Sequence, residues 1–168
     1  MPPHCDSLDG PVVVAARRAL RENDVDLVAP YVHADGEQEL RQAFELASKA
    51  RVAGADARQV ADRWFFETAV RLHRAGEGAS FTGLKPAGLD VGPVIPVAEH
   101  SVESGSPDEL VDLLCRIVGE QAGRRHARAM RLKENATQDL PAAREYVNAL
   151  LGLQVWAHGI YKQAVAGG

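Results

Sequence analysis

The chain has 168 residues and a net charge of −4, with 46% apolar and 25% charged residues, the balance of a globular rather than a disordered protein. Its acidity argues against a general nucleic-acid binder, which needs a basic face for phosphate. No apolar run approaches the roughly 18 residues that cross a bilayer.

The start, MPPHCD, lacks the basic and apolar regions of a signal peptide, so the expected location is cytoplasmic. Two cysteines, Cys5 and Cys115, are too few for a disulfide framework and are expected as thiols.

The helix-forming residues and the spacing of Gly and Pro predict an all-α protein. The pattern places helices at 11–22, 25–33, 37–52, 57–74, 94–104, 107–118, 120–134 and 141–164. Pro11 suits a first helical turn, Gly76 and Gly78 stop the fourth helix, and Ser106-Pro107 opens the sixth. SFTGLKPAGLDVGP (80–93) has no helical period and reads as a linker or structured loop. The basic cluster GRRHARAMRLK (123–133) reads as the solvated face of a helix.

Self-comparison suggests a duplication. LDGPVVVAA (8–16) resembles LDVGPVIPVA (89–98), GEQELRQAFELA (36–47) meets GEQAGRRHARAM (119–130), and ADRWFFE (61–67) meets AAREYVN (142–148). The expected architecture is one helical-bundle domain over 1–168 made of two tandem pseudo-symmetric repeats. Repeat one covers about 8–78, a loop 79–91, and repeat two about 92–164. Glu67 aligns with Asn148 and His73 with Gln154, and nothing like His4-Cys5-Asp6 precedes Gly92. The unusual chemistry therefore belongs to the first half and the amino-terminal arm.

At helical spacing Phe66, Val70 and His73 share one stripe, and Arg63, Glu67 and Arg71 share another, where an ion-pair ladder is the simplest reading. Trp64, Phe65 and Phe66 are expected in the core, as is Cys115. Cys5 lies just ahead of a helix start, where free N–H groups favour a thiolate, with His4 beside it. An amino-terminal square-planar copper or nickel site is excluded, because Pro3 has no amide proton to lose.

HCDSLDGPVV, ADRWFFETAVRLHRAGEG and FTGLKPAG together resemble an uncharacterised family of small bacterial helical proteins. The resemblance runs from His4 to about Tyr161. Many members of that family look secreted, with the HCD triplet close behind a leader, where this chain has only Met-Pro-Pro. The resemblance supplies no reaction; it marks His4, Cys5, Asp6, Glu67, His73 and Glu77 as the polar residues to watch.

The preferred expectation is a metal-binding protein, a redox or hydrolytic metalloenzyme. His4, Cys5 and His73 would hold a zinc, copper, nickel or iron ion, with Glu67 or Glu77 as the acid/base. A first alternative is a non-catalytic helical protein that binds a small molecule or a partner, with Arg63, Arg71, Arg74 and Lys85 reading an anionic group. A second is a metal-free thiol enzyme with Cys5 as nucleophile and His4 or His73 as base. The expected partner is a small-molecule substrate or ligand, without nucleic acid or membrane, and a homo-oligomer is compatible with the sequence.

Overall fold

The structure, a computed structural model, describes residues 3–166. Met1 and Pro2, part of the start used above to exclude an amino-terminal metal site, lie outside them. Among the described residues there are helices and no strand, apart from one isolated parallel bridge between Ser7 and Lys85. The chain divides into two compact units, Met1–Gly92 and Pro93–Gly168.

The first unit begins with a single 3-10 turn, Pro3–Asp6, and then α1 (Pro11–Glu22). Pro11 sits in the first turn, and Asn23 closes the helix in the left-handed conformation, its N–H bonded to the Ala19 carbonyl. The sequence pattern predicts one helix over 25–33. The chain instead forms two short 3-10 turns there, Val25–Leu27 and Ala29–Tyr31, followed by a third, Ala34–Gly36. Asp24 caps the first through the Asp26 N–H, and Pro30 both lacks a donor and disfavours α geometry at Ala29. Next come α2 (Glu37–Ala50), another 3-10 turn (Arg51–Ala53) and α3 (Ala55–Gly76), hinged at Gly54 with φ +136°.

These three helices close around one core. Val12, Val13, Ala16 and Ala19 of α1 meet Leu40 and Phe44 of α2 and Phe65, Ala69 and Val70 of α3. Phe44 and Phe65 pack edge to face with centroids 5.7 Å apart. Phe65 and Phe66 are buried as expected, but Trp64 is 41% exposed, because three successive helical positions cannot all face one core. Arg17 of α1 lies over the Phe66 ring at 5.5 Å.

The second unit holds α4 (Val94–Ser104), α5 (Asp108–Asn135) and α6 (Leu140–Val165). The break expected near Gly119 is absent. One mid-helix glycine costs only about 1 kcal/mol relative to alanine, too little to interrupt a 28-residue helix. A short turn reverses the chain, and α6 starts at Asp139, whose carboxylate accepts the Ala142 N–H at 2.8 Å. Arg125 of α5 then stands 4.9 Å from the Trp156 ring of α6. Cys115, expected in a core, is exposed on α5.

Candidate functional site

Three stretches singled out in the sequence converge in the first unit: the HCD arm, the carboxyl end of α3 and the loop around Lys85. The arm runs beside the loop as a minimal parallel pair. Lys85 N–H donates to the Asp6 carbonyl at 2.8 Å, and Leu8 N–H donates to the Lys85 carbonyl at 3.1 Å. Asp9 extends the seam by accepting the Gly88 N–H at 2.7 Å. The Asp9 carboxyl is held below the usual carboxylate value, first by its hydrogen bond with Ser7 and then by that with Gly88.

The arm then folds onto the start of α1. Ser7 N–H and its hydroxyl both donate to the His4 carbonyl, and Gly10 N–H donates to the Ser7 carbonyl at 2.9 Å. A Cβ on Gly10 would fall 1.9 Å from the His4 carbonyl oxygen, a backbone atom that cannot step aside. Gly10 is therefore required by close approach, not by its dihedral angle, since φ is −73°. Arg17 adds a tether by donating to the Leu8 carbonyl at 3.0 Å.

Beneath the arm lies a buried charge cluster. Arg74, at the end of α3, is 5% exposed and donates from Nε to Asp6 Oδ1 at 2.6 Å; Asp6 is equally buried. The guanidinium also reaches Glu77 Oε2 at 3.1 Å. Arg74 is pushed above its already high pKa, first by the hydrogen bond it donates to Asp6, against the cost of burial. The charges of Asp6, Glu77 and Cys5 add to the shift. The other Glu77 oxygen lies 3.2 Å from His73 Nε2. His73 Nδ1 lies 2.8 Å from the Tyr31 carbonyl, an acceptor only, so Nδ1 carries a proton and Nε2 faces Glu77. Two hydrogen bonds from Glu77 N–H, to the His73 and Arg74 carbonyls, end the helix at the point that sets this geometry.

At the rim stand His4 and Cys5. Cys5 Sγ is 4.0 Å from His4 Nε2, and the thiol is half-buried, packed on the edge of the core. Its charge, when ionised, is the smallest of the contributions that hold the Arg74 guanidinium above its usual pKa.

The side chains of the other expected site residues are engaged elsewhere. Glu67 is engaged by Arg63 at 3.2 Å on an exposed face, the ion-pair ladder reading. Arg71 pairs with Glu39, and Lys85 Nζ donates to the Thr82 carbonyl at 3.2 Å. Among the described residues no group of three or more His, Cys, Asp and Glu is placed to hold a metal ion, so His73 is not brought together with His4 and Cys5 as a ligand set. The sequence singles out Asp6 and Arg74 but not their pairing, which joins positions 68 residues apart. Nor does it single out Arg17, Ser7 and Asp9, the residues that hold the arm.

Fold and site together define an all-helical protein whose amino-terminal arm is clamped by a buried ion-pair cluster against a three-helix unit. The chain belongs to a family of unknown function, DUF6448, whose pattern it matches over residues 9–156. The match takes in the Gly10-Pro11 start, the end of α3 and the Lys85 loop, and begins just after the HCD triplet. No curated protein and no solved structure matches the chain. No helix among the described residues is long and apolar enough to cross a membrane.

Proposed function

We propose that the protein is a thiol-dependent enzyme whose reactive group is Cys5, with His4 as its proton acceptor, acting on a small electrophilic substrate. The observation that carries this reading is the placement of the Cys5 sulfur 4.0 Å from an imidazole nitrogen, within electrostatic reach of the permanently charged Arg74. An imidazole takes the thiol proton, a neighbouring guanidinium favours the resulting thiolate, and the thiolate is the nucleophile. In the step, the sulfur lone pair forms a bond to the electrophilic atom, and His4 returns the proton to the group that leaves. A separation of 4.0 Å is long for proton transfer, as is common before substrate draws a pair together. Asp6, Arg74, Glu77 and His73 act as positioning residues that hold the arm and the guanidinium in place. Lys85, whose loop runs beside the arm, is the candidate for reading an anionic group on the substrate. A cytoplasmic location, where thiols stay reduced, suits this chemistry.

The test is the pH dependence of Cys5 alkylation, followed by peptide mass spectrometry so that Cys115 reports separately in the same sample. The expected midpoint for Cys5 lies below the ordinary thiol value of about 8.5 and rises in His4→Asn. A Cys5 midpoint at or above that value, unmoved by His4→Asn, overturns the reading.

A metal-dependent reading keeps one specific support. Two ligands of one tetrahedral zinc, with Zn–S of about 2.3 Å and Zn–N of about 2.0 Å, stand roughly 3.6 Å apart, close to the Sγ–Nε2 distance of 4.0 Å. His4 and Cys5 would supply two donors, and His73 would have to leave Glu77 to supply a third. Elemental analysis of tag-free protein decides it: stoichiometric metal lost in Cys5→Ala and His73→Ala supports a metal centre, and metal-free active protein removes it.

The duplicated ancestry belongs with these proposals. Its support is that each compact unit carries three α-helices in sequence, both opened by Gly-Pro. The two glycines differ in use: Gly10 faces a backbone carbonyl, whereas Gly92 has φ +70° and open space at its Cβ position. A duplication whose second copy lost the arm would leave that difference.

A further inference from the structure

The second unit is short of a core. Among its described residues only Leu113 and Ala129 are buried, against the continuous cluster that fills the first unit. Meanwhile Val147, Leu151 and Val155 repeat at every fourth position along α6 and stay exposed, Val155 by 72%. On α5, Val111 and Leu114 are likewise exposed. Such a stripe at helical spacing is the pattern of a helix face that packs on another helix.

We infer that the α5–α6 hairpin pairs with the same hairpin of a second copy of this chain, antiparallel about a twofold axis, giving a four-helix layer. Two features select a second copy. The first is charge. The start of α5 is acidic, with Asp108, Glu109 and Asp112, and its carboxyl half is basic, with Arg124, Arg128 and Arg131. An antiparallel copy sets each acidic start against the partner's basic end, whereas a parallel one would stack like charges. A partner of a single charge sign would satisfy only half of the helix. The second is area. Helices of 28 and 26 residues are each about 40 Å long at 1.5 Å per residue. A face two helices wide, at about 10 Å each, is on the order of 800 Å², the share one partner contributes to a standard stable interface. The mid-helix glycines agree: a Cβ on Gly119, Gly123, Gly152 or Gly159 meets nothing within 4 Å, so nothing in the chain's own packing calls for glycine there.

The test is the mass of the full chain in solution by light scattering during size exclusion, from about 1 to 100 μM. The expected mass is twice the 18.1 kDa of one chain. Leu151→Glu with Val155→Glu is expected to shift it to the single-chain mass, with the circular dichroism retained. Because a double carboxylate could instead unfold the hairpin, a charge swap is the second arm. Asp112→Lys and Arg131→Glu are each expected to weaken dimerisation at least tenfold, and the two together to restore it. Protection of the Cys115 thiol from alkylation should rise with protein concentration and disappear in the monomeric variant. A wild-type chain that stays at single-chain mass up to 100 μM overturns the inference. A dimer indifferent to the stripe and to the charge swap overturns it equally.

Discussion

Replacing Asp6 by Ala tests whether the arm is held by the buried ion pair or merely rests on the helices. In the native chain the Arg74 and Asp6 side chains are 6% and 7% exposed and meet at 2.6 Å. Deleting the carboxylate leaves a buried guanidinium with Glu77 as its main remaining anionic partner, at 3.1 Å. Removing one member of a buried pair costs about 3–5 kcal/mol; because Glu77 remains, the lower figure, about 3 kcal/mol, is expected. The unfolding of the first unit can be followed in urea through Trp64 fluorescence in a Trp156→Phe background, since the chain has two tryptophans and only Trp64 lies in that unit. With a urea dependence of about 1.5 kcal/mol/M for a unit of this size, the midpoint should fall by about 2 M. Arg74→Met should be similarly destabilising. The Asp6→Ala/Arg74→Met double variant should recover about 1 kcal/mol or more relative to the sum of the singles, because no uncompensated guanidinium remains. Amide exchange at Leu8 and Lys85, the seam between arm and loop, should accelerate in the single variants before the core amides do. A loss below 1 kcal/mol with additive singles would refute the argument and reduce the cluster to a solvated contact.

Gly10→Ala should destabilise the first unit by about 1–3 kcal/mol through overpacking, whereas Gly92→Ala, with open space at its Cβ, should meet only backbone strain; denaturation midpoints compare the two. Phe65→Ala should cost about 3–5 kcal/mol by calorimetry, because the ring is fully buried against Phe44. A loss below 1 kcal/mol would put the centre of the core elsewhere. Acidification should release the Lys85 loop through Asp9. Its folded pKa is depressed, so the stability it adds is present above the ordinary aspartate value of 3.8 and disappears as pH falls through the lower folded value. Exchange at Gly88 N–H should therefore rise selectively below that pH and at all pH values in Asp9→Ala; a Gly88 amide indifferent to both removes the seam as a load path.

Local chemistry made much of this protein readable from the chain alone. The starts of α1 and α4 follow from Gly-Pro signals, the end of α3 from Gly76 and Gly78, and the buried Phe65 and Phe66 from their place in a long amphipathic segment. The singled-out HCD, HRAGEG and TGLKPAG stretches are also visible as strings, though nothing in them says that they meet. Local signals misled where competing terms are of similar size. Pro30 and the Asp24 cap turned a helical pattern into 3-10 turns, and the small cost of Gly119 let α5 run on. What only the tertiary structure decided are the contacts between distant positions: Asp6 with Arg74, Leu8 and Asp6 with Lys85, and the carbonyl of His4 pressed against Gly10. An arginine near the end of a helix looks the same in sequence whether it faces water or a buried carboxylate. The difference lies in which segment folds across it, a consequence of packing the whole unit and of no single stretch of it. His4-Cys5-Asp6 thus divides by depth: Asp6 turns inward and holds the arm, while Cys5 and His4 stay half-buried, 4.0 Å apart.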